Sequence, residues 1–231
     1  MRTTVDIRKG KLVAGLLVGL AGVLWLAAGC ARYPTQPGPV GNRRLIVEMR
    51  VAGAVDPELH YFVAFDLDDD AADGPLPVAG QPWGNGWGAG AITHFVQYDQ
   101  TQPGGYGVHR IVPNTDLLGW VYLGQPLAFT PPGGSGMIAF TLDLDLIDPG
   151  RTAQSMQINF ITCDVIPIDP DWTGARDYDG LGPSGNDYVT ISLTESRVYT
   201  NDDLGGLESS GDCPNENLDI VDWSVEVSIE E

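Results

Sequence analysis

From Arg43 onward, apolar and polar residues alternate with a period of two rather than 3.6. Leu45, Val47, Met49 and Val51 fall on one side, and Arg44, Glu48 and Arg50 on the other. Ile138, Phe140, Leu142, Leu144 and Leu146 alternate with Thr141, Asp143 and Asp145. Leu144 stands between two aspartates, which argues for one continuous strand there and against a helix. The same alternation runs through Val189, Ile191 and Leu193, and through Val221, Trp223, Val225, Val227 and Ile229. Such segments predict strands with one buried and one wet face. Residues 60–67, 92–98 and 156–165 are apolar on both faces and predict central strands. Shorter strands are expected at 108–112, 120–123 and 127–130. Breakers separate them: Pro103-Gly104-Gly105, Pro131-Pro132-Gly133-Gly134 and Asp148-Pro149-Gly150. No stretch of twelve residues carries a helical stripe. The expected fold is all-β, an antiparallel β-sandwich with long loops, with a β-barrel as the alternative. A transmembrane barrel is disfavoured by too few strands and by long acidic loops. Residues 43–231 read as one domain, a length at which a single all-β core is common.

The first 42 residues have a different pattern. Arg2, Arg8, Lys9 and Lys11 precede an uncharged stretch, 12–29, rich in Leu, Val, Ala and Gly. A basic segment, a short apolar segment and small residues before a cleavage point describe an export signal. At roughly 18 residues the stretch is at the lower limit for a spanning helix. It ends Leu26-Ala27-Ala28-Gly29-Cys30, which resembles the lipobox of bacterial lipoproteins. The resemblance implies cleavage after residue 29, diacylation of Cys30 and, often, acylation of the new amino group. The sequence departs from the commonest pattern in having Ala27 where Leu is usual, with Leu26 one place earlier. A single myristoyl chain gives only marginal membrane binding and stable anchoring takes two signals, so a diacylated Cys30 would hold the protein outside the cytoplasm by itself. An Asp after the Cys favours inner-membrane retention in diderm members of that family, so Ala31 points to the outer membrane if the cell has one. Residues 30–42 are a Pro/Gly-rich spacer; extended as polyproline II, residues 31–42 reach about 37 Å.

Charge narrows the partners. The formal net charge of −19 becomes −22 once the first 29 residues, with four basic and one acidic side chain, are set aside. Such a surface repels nucleic acid and anionic headgroups and attracts cations. Cys163 and Cys213 remain after Cys30, and in an exported chain an even pair predicts one disulfide. Closing a loop of about fifty residues contributes roughly 4 kcal/mol in the chain-entropy account.

The acidic residues gather locally. Asp66, Asp68 and Asp70 alternate along a strand end and its turn, with Asp73 three residues on, a spacing that suits calcium, which takes six to eight oxygen ligands. The spacing is not that of an EF-hand, since Ala71 and Pro77 stand where Gly and Glu are required. Asp169, Asp171, Asp177 and Asp179 form a second group. Asp212, Asn215, Glu216, Asn217 and Asp219 form a third, beside Cys213. Trp83 and Trp87 lie in a glycine-rich segment, where exposed indoles would stack on sugar rings or on a partner and buried ones would cap the core. His60, His94 and His109 lie on or beside predicted strands without a zinc spacing. No Gly-x-Ser-x-Gly or phosphate-binding glycine loop occurs.

Residues 61–74, Tyr-Phe-Val-Ala-Phe-Asp-Leu-Asp-Asp-Asp-Ala-Ala-Asp-Gly, resemble the strand and acidic turn of secreted β-sandwich modules of the carbohydrate-binding-family-9 and DOMON kind. That likeness implies a sugar- or haem-binding module and assigns no residue. The expectation is a lipid-anchored, non-catalytic module. It would bind a glycan through Trp83 and Trp87, or an envelope protein, with calcium stiffening the loop at Asp66–Asp73. The rival expectations are an extracytoplasmic hydrolase with an acidic site and a purely structural envelope lipoprotein.

Overall fold

A computed structural model describes residues 42–112, 119–132 and 134–230. The export signal, Cys30 and nearly all of the spacer lie outside the described residues. The strands are β1 (Arg43–Val51), β2 (His60–Asp66), β3 (Pro75–Pro77), β4 (Gly88–Gly90), β5 (His94–Tyr98), β6 (Tyr106–Ile111), β7 (Trp120–Gly124), β8 (Ala128–Thr130), β9 (Met137–Asp143), β10 (Ser155–Cys163), β11 (Tyr178–Gly180), β12 (Val189–Ser192), β13 (Arg197–Thr200) and β14 (Ile220–Ile229). One helical turn, α1 (Leu144–Ile147), and two 3-10 turns are the other elements among the described residues. No helix among the described residues is long and apolar enough to cross a membrane.

The strands form an all-β sandwich. One sheet has the order β13-β14-β1-β9-β8 and the other β11-β10-β2-β5-β6-β7, with every pairing antiparallel. β12 also pairs with β10, so β11 and β12 share one edge of that strand in succession. β3 and β4 make a separate two-stranded ribbon. None of these sheets closes into a barrel.

In the first sheet, residues directly opposite share a face. Val47 lies opposite both Val225 and Phe140, and Leu45 opposite Val227 and Leu142; all are buried. The alternate row, Arg44, Glu48 and Arg50 with Ser224 and Glu226, faces solvent or is half-buried. The alternation therefore set the register, because a slip by one would exchange the two rows. At the β1–β14 end the pairing shifts between Arg50 and Val51, so Ile220 opposes Val51 and enters the core in place of the expected Val221.

The second sheet is apolar on both sides. Val63, Phe65, Val96, Ile158 and Phe160 pack into the core between the sheets. Phe62, Ala64, Phe95, Ile161 and Cys163 form a smaller cluster on the outer side, covered by Trp87. Double-sided strands need this second cover, which the segment carrying β3 and β4 supplies.

One expectation is corrected. The strand through Leu142 does not run on to Leu146. Residues 144–147 make a helical turn, started by the Asp143 carboxylate, which accepts the Asp145 N–H at 3.0 Å. Leu144 and Ile147, three apart, are the buried residues of that turn, so one turn satisfies the core as the strand would have.

Candidate functional site

The glycine-rich segment folds inward. Trp87 is 1% exposed and stacks on Phe62 with centroids 4.1 Å apart and planes 9° apart. Trp83 is 8% exposed, lies edge-on to Trp172, and donates its indole N–H to the Trp172 carbonyl at 2.9 Å. The fold-back depends on Gly86, whose φ is 86° and where a Cβ would sit 2.6 Å from Ile166 Cγ2. The Asn85 side-chain oxygen, Oδ1, then accepts the N–H groups of Trp87 and Gly88. An exposed sugar platform made of Trp83 and Trp87 is thereby corrected: Trp87 completes the outer cluster of the second sheet, and Trp83 is buried against Trp172.

The acidic turn after β2 is partly convergent. Asp66, Asp68 and Asp73 each place a carboxylate oxygen within 4.8 Å of the others. Asp70 is not part of that group; its carboxylate accepts the Ala72 N–H at 2.9 Å, as that of Asp68 accepts the Asp70 N–H at 2.8 Å. Asp69, with φ 64°, accepts the N–H groups of Gln154 and Ser155 and so ties the turn to the start of β10. Asp66 is 0% exposed, and neither carboxylate oxygen has a hydrogen-bond partner. Burial, followed by repulsion from Asp68, pushes its pKa up to about 6, against the opposing pull of the nearby N–H groups of Asp68 and Leu67, neither of which meets hydrogen-bond geometry. Directly across from it on β10 stands Gln157, also 0% exposed, with both amide atoms unpartnered. Gln157 was hidden in a run read as wholly apolar; a polar residue inside such a run was the signal available.

A second convergence joins groups that are apart in the chain. Asp179 of β11, Asp212 and Asp219 bring one oxygen each within 4.8 Å of the others. Asp179 accepts the N–H groups of Gly180 and Ile220 at 2.8 and 2.7 Å. Asp219 accepts the Gly211 N–H on both oxygens. Glu208 completes the group, accepting N–H bonds from Gly182 and Ser209. Burial raises Asp179 to about 7, and burial with the charges of Asp179 and Asp212 raises Glu208 to about 9. Asp212 is raised too, by burial first and then by its contact with Asp219. Beside them opens a cleft of about 260 Å3, lined among others by Arg176, Tyr178, Asp179, Ser184 and Asp212. The Arg176 guanidinium lies over the Tyr178 ring, 5.6 Å from its centroid, and donates to the carbonyls of Val78 and Gly86. Glu208 had no signal in the sequence, since only the loop returning to β14 brings it here.

Cys163 and Cys213 are buried free thiols, which corrects the expected disulfide. Thr162 points to the opposite side of β10 from Cys163, and it is Thr162 that reaches the loop carrying Cys213, bonding the Leu218 carbonyl at 2.6 Å. Cys163 packs with Phe62 and Trp87 instead. Burial pushes both thiols up to about 11, so neither is an activated nucleophile. The histidines do not converge. Phe95 lies opposite His109 and His94 opposite Arg110, so adjacent positions send the two rings to opposite faces of the sheet. Burial lowers the pKa of all three.

Comparison with protein-family models, with curated proteins and with solved structures finds no match to this chain.

Proposed function

We propose that this protein is an exported, non-catalytic β-sandwich module, held at the cell envelope by a lipid on Cys30, that binds a neutral, hydroxyl-rich ligand such as a sugar unit. The observation that carries the ligand is the cleft beside β11. It combines an aromatic ring (Tyr178), hydroxyl acceptors (Asp179 and Asp212) and a hydroxyl (Ser184) in about 260 Å3. Sugar hydroxyls donate to carboxylates while the C–H faces of the ring lie against an aromatic. The compartment rests on residues 1–30, and the net charge of −22 argues against nucleic acid as the partner. Ala31 favours an outer membrane in a diderm cell, where an envelope glycan or an envelope protein is within reach of the spacer.

Asp212→Asn combined with Tyr178→Ala should abolish binding on a glycan array while leaving the melting temperature within a few degrees. Retention of binding by the double variant excludes the cleft. The second reading, an acidic hydrolase, is favoured by the raised pKa of Asp179 beside Asp212. Release of reducing ends from a bound polysaccharide by the parent, lost in Asp179→Asn, would establish it instead. For the anchor, the mass of the N-terminal peptide should show acyl chains on Cys30, and Cys30→Ser should move the protein from the membrane to the soluble fraction.

A further inference from the structure

Asp66 and Gln157 together pose a problem that the rest of the fold does not answer. They are directly opposed on β2 and β10, on the same face of the sheet, and both are fully buried. All four of their polar side-chain atoms lack a hydrogen-bond partner. A buried polar group left unpaired destabilises a fold, and more so when charged. Two such groups side by side, next to the carboxylates of Asp68 and Asp73, mark a place where a ligand completes the bonding.

We infer that this end of β2 is a divalent-cation site of the calcium class, with Asp66, Asp68 and Asp73 as carboxylate ligands and the Gln157 side-chain oxygen as a neutral fourth. The ligand set is all oxygen, which excludes a zinc preference for nitrogen and sulfur. Magnesium demands a near-ideal octahedron and keeps its waters, whereas calcium accepts buried carboxylates, an amide and solvent together in a loose shell. Asp68 and Asp73 are exposed, so water can supply the remaining positions and the ion has a route in. The turn is already tied down by Asp69 on Gln154 and Ser155, and by the Tyr188 hydroxyl on the Ala71 carbonyl. Little chain ordering therefore opposes binding. Asp70, one of the four aspartates of the sequence motif, is left out of the ligand set, because it does not join the group of carboxylate oxygens within 4.8 Å of one another that Asp66, Asp68 and Asp73 form. The site bridges two neighbouring strands, and its occupation locks the acidic turn to the sheet. It shares no residue with the cleft beside β11, so either can fail without the other.

The test is titration of the purified full chain with calcium chloride, magnesium chloride and chelator, read by melting temperature and by calorimetry. Expected is a calcium Kd in the range of roughly 10⁻⁴–10⁻³ M found for extracellular modules. A rise in melting temperature of roughly 3–10 °C at 10 mM calcium follows, with a much smaller response to magnesium. Asp73→Asn, at an exposed position, should fold normally and weaken calcium binding at least tenfold. Asp70→Asn should bind as the parent does. Gln157→Leu should keep or raise the melting temperature in chelator, by removing an unpaired buried amide, yet weaken calcium binding. No calcium response in the parent overturns the assignment, as does a response that survives Asp73→Asn unchanged. Equal calcium affinity in Gln157→Leu removes that residue from the ligand set and refutes the bridging of β2 and β10.

Discussion

Glu208 allows the clearest test of how the buried carboxylates shape stability. It is 3% exposed and sits against Asp179 and Asp212, and its pKa rises from an ordinary 4.5 to about 9. A carboxyl whose pKa is higher in the fold than in the unfolded chain binds its proton more tightly when folded. Its contribution is therefore complete below about pH 4.5 and is lost as pH climbs toward 9. Between pH 5 and pH 8 the unfolded chain releases this proton while the fold retains it, over close to three decades. At 1.36 kcal/mol per unit the loss is at most about 4 kcal/mol. The neighbouring carboxyls compete for the same protons, which brings the expected figure to roughly 2–4 kcal/mol. Glu208→Gln removes the titration while keeping an acceptor for the Gly182 or Ser209 N–H. Urea unfolding followed by tryptophan fluorescence should place the variant within about 1 kcal/mol of the parent at pH 5. At pH 8 the variant should be the more stable by roughly 2–3 kcal/mol. Parallel pH profiles for the two proteins would refute the reasoning, and so would a parent that gains stability toward pH 8 faster than the variant.

Two other outcomes follow from the burial pattern. Trp87→Ala should cost about 3–5 kcal/mol, as for other large aromatic truncations, and lower the melting temperature by roughly 6–20 °C; a change of a degree or two in a thermal melt would show that the indole does not cover the second sheet. At pH 8 the thiols of Cys163 and Cys213 should resist alkylation in the folded protein and both react after unfolding, without reductant; a peptide map with a Cys163–Cys213 crosslink would contradict the structure.

Much of the sheet structure was legible because its signals are local. In β1, β9 and β14 the apolar residues recur every second position, and a slip of one residue in the pairing would turn Leu45, Leu142 or Val227 to the wrong face. The central strands β2, β5 and β10 were visible as two-sided apolar runs. Leu144 was misread because a helical turn and a strand end bury a leucine equally well, and the choice was made by the Asp143 cap. The two indoles offered the same ambiguity: glycine freedom permits an exposed loop or a fold-back, and the outer face of Phe62 and Phe95 needed a cover. Three of the four aspartates of the acidic turn were legible. Their spacing along the chain located Asp66, Asp68 and Asp73, whereas only the path of the turn leaves Asp70 out of their group.

By itself the sequence determined the fold class, the acidity and the positions of the strands other than β3, β4, β11 and β13, because each depends on periodicity or composition within a few residues. Tertiary structure alone decided which polar side chains meet. Gln157 faces Asp66 only through the β2–β10 register, across some ninety residues of chain. Asp179, Glu208, Asp212 and Asp219 share one neighbourhood only because the loop after β13 returns past β11 before entering β14. Contacts of that kind arise from the packing of strands far apart in the chain, and packing is a property of all the strands at once rather than of any segment.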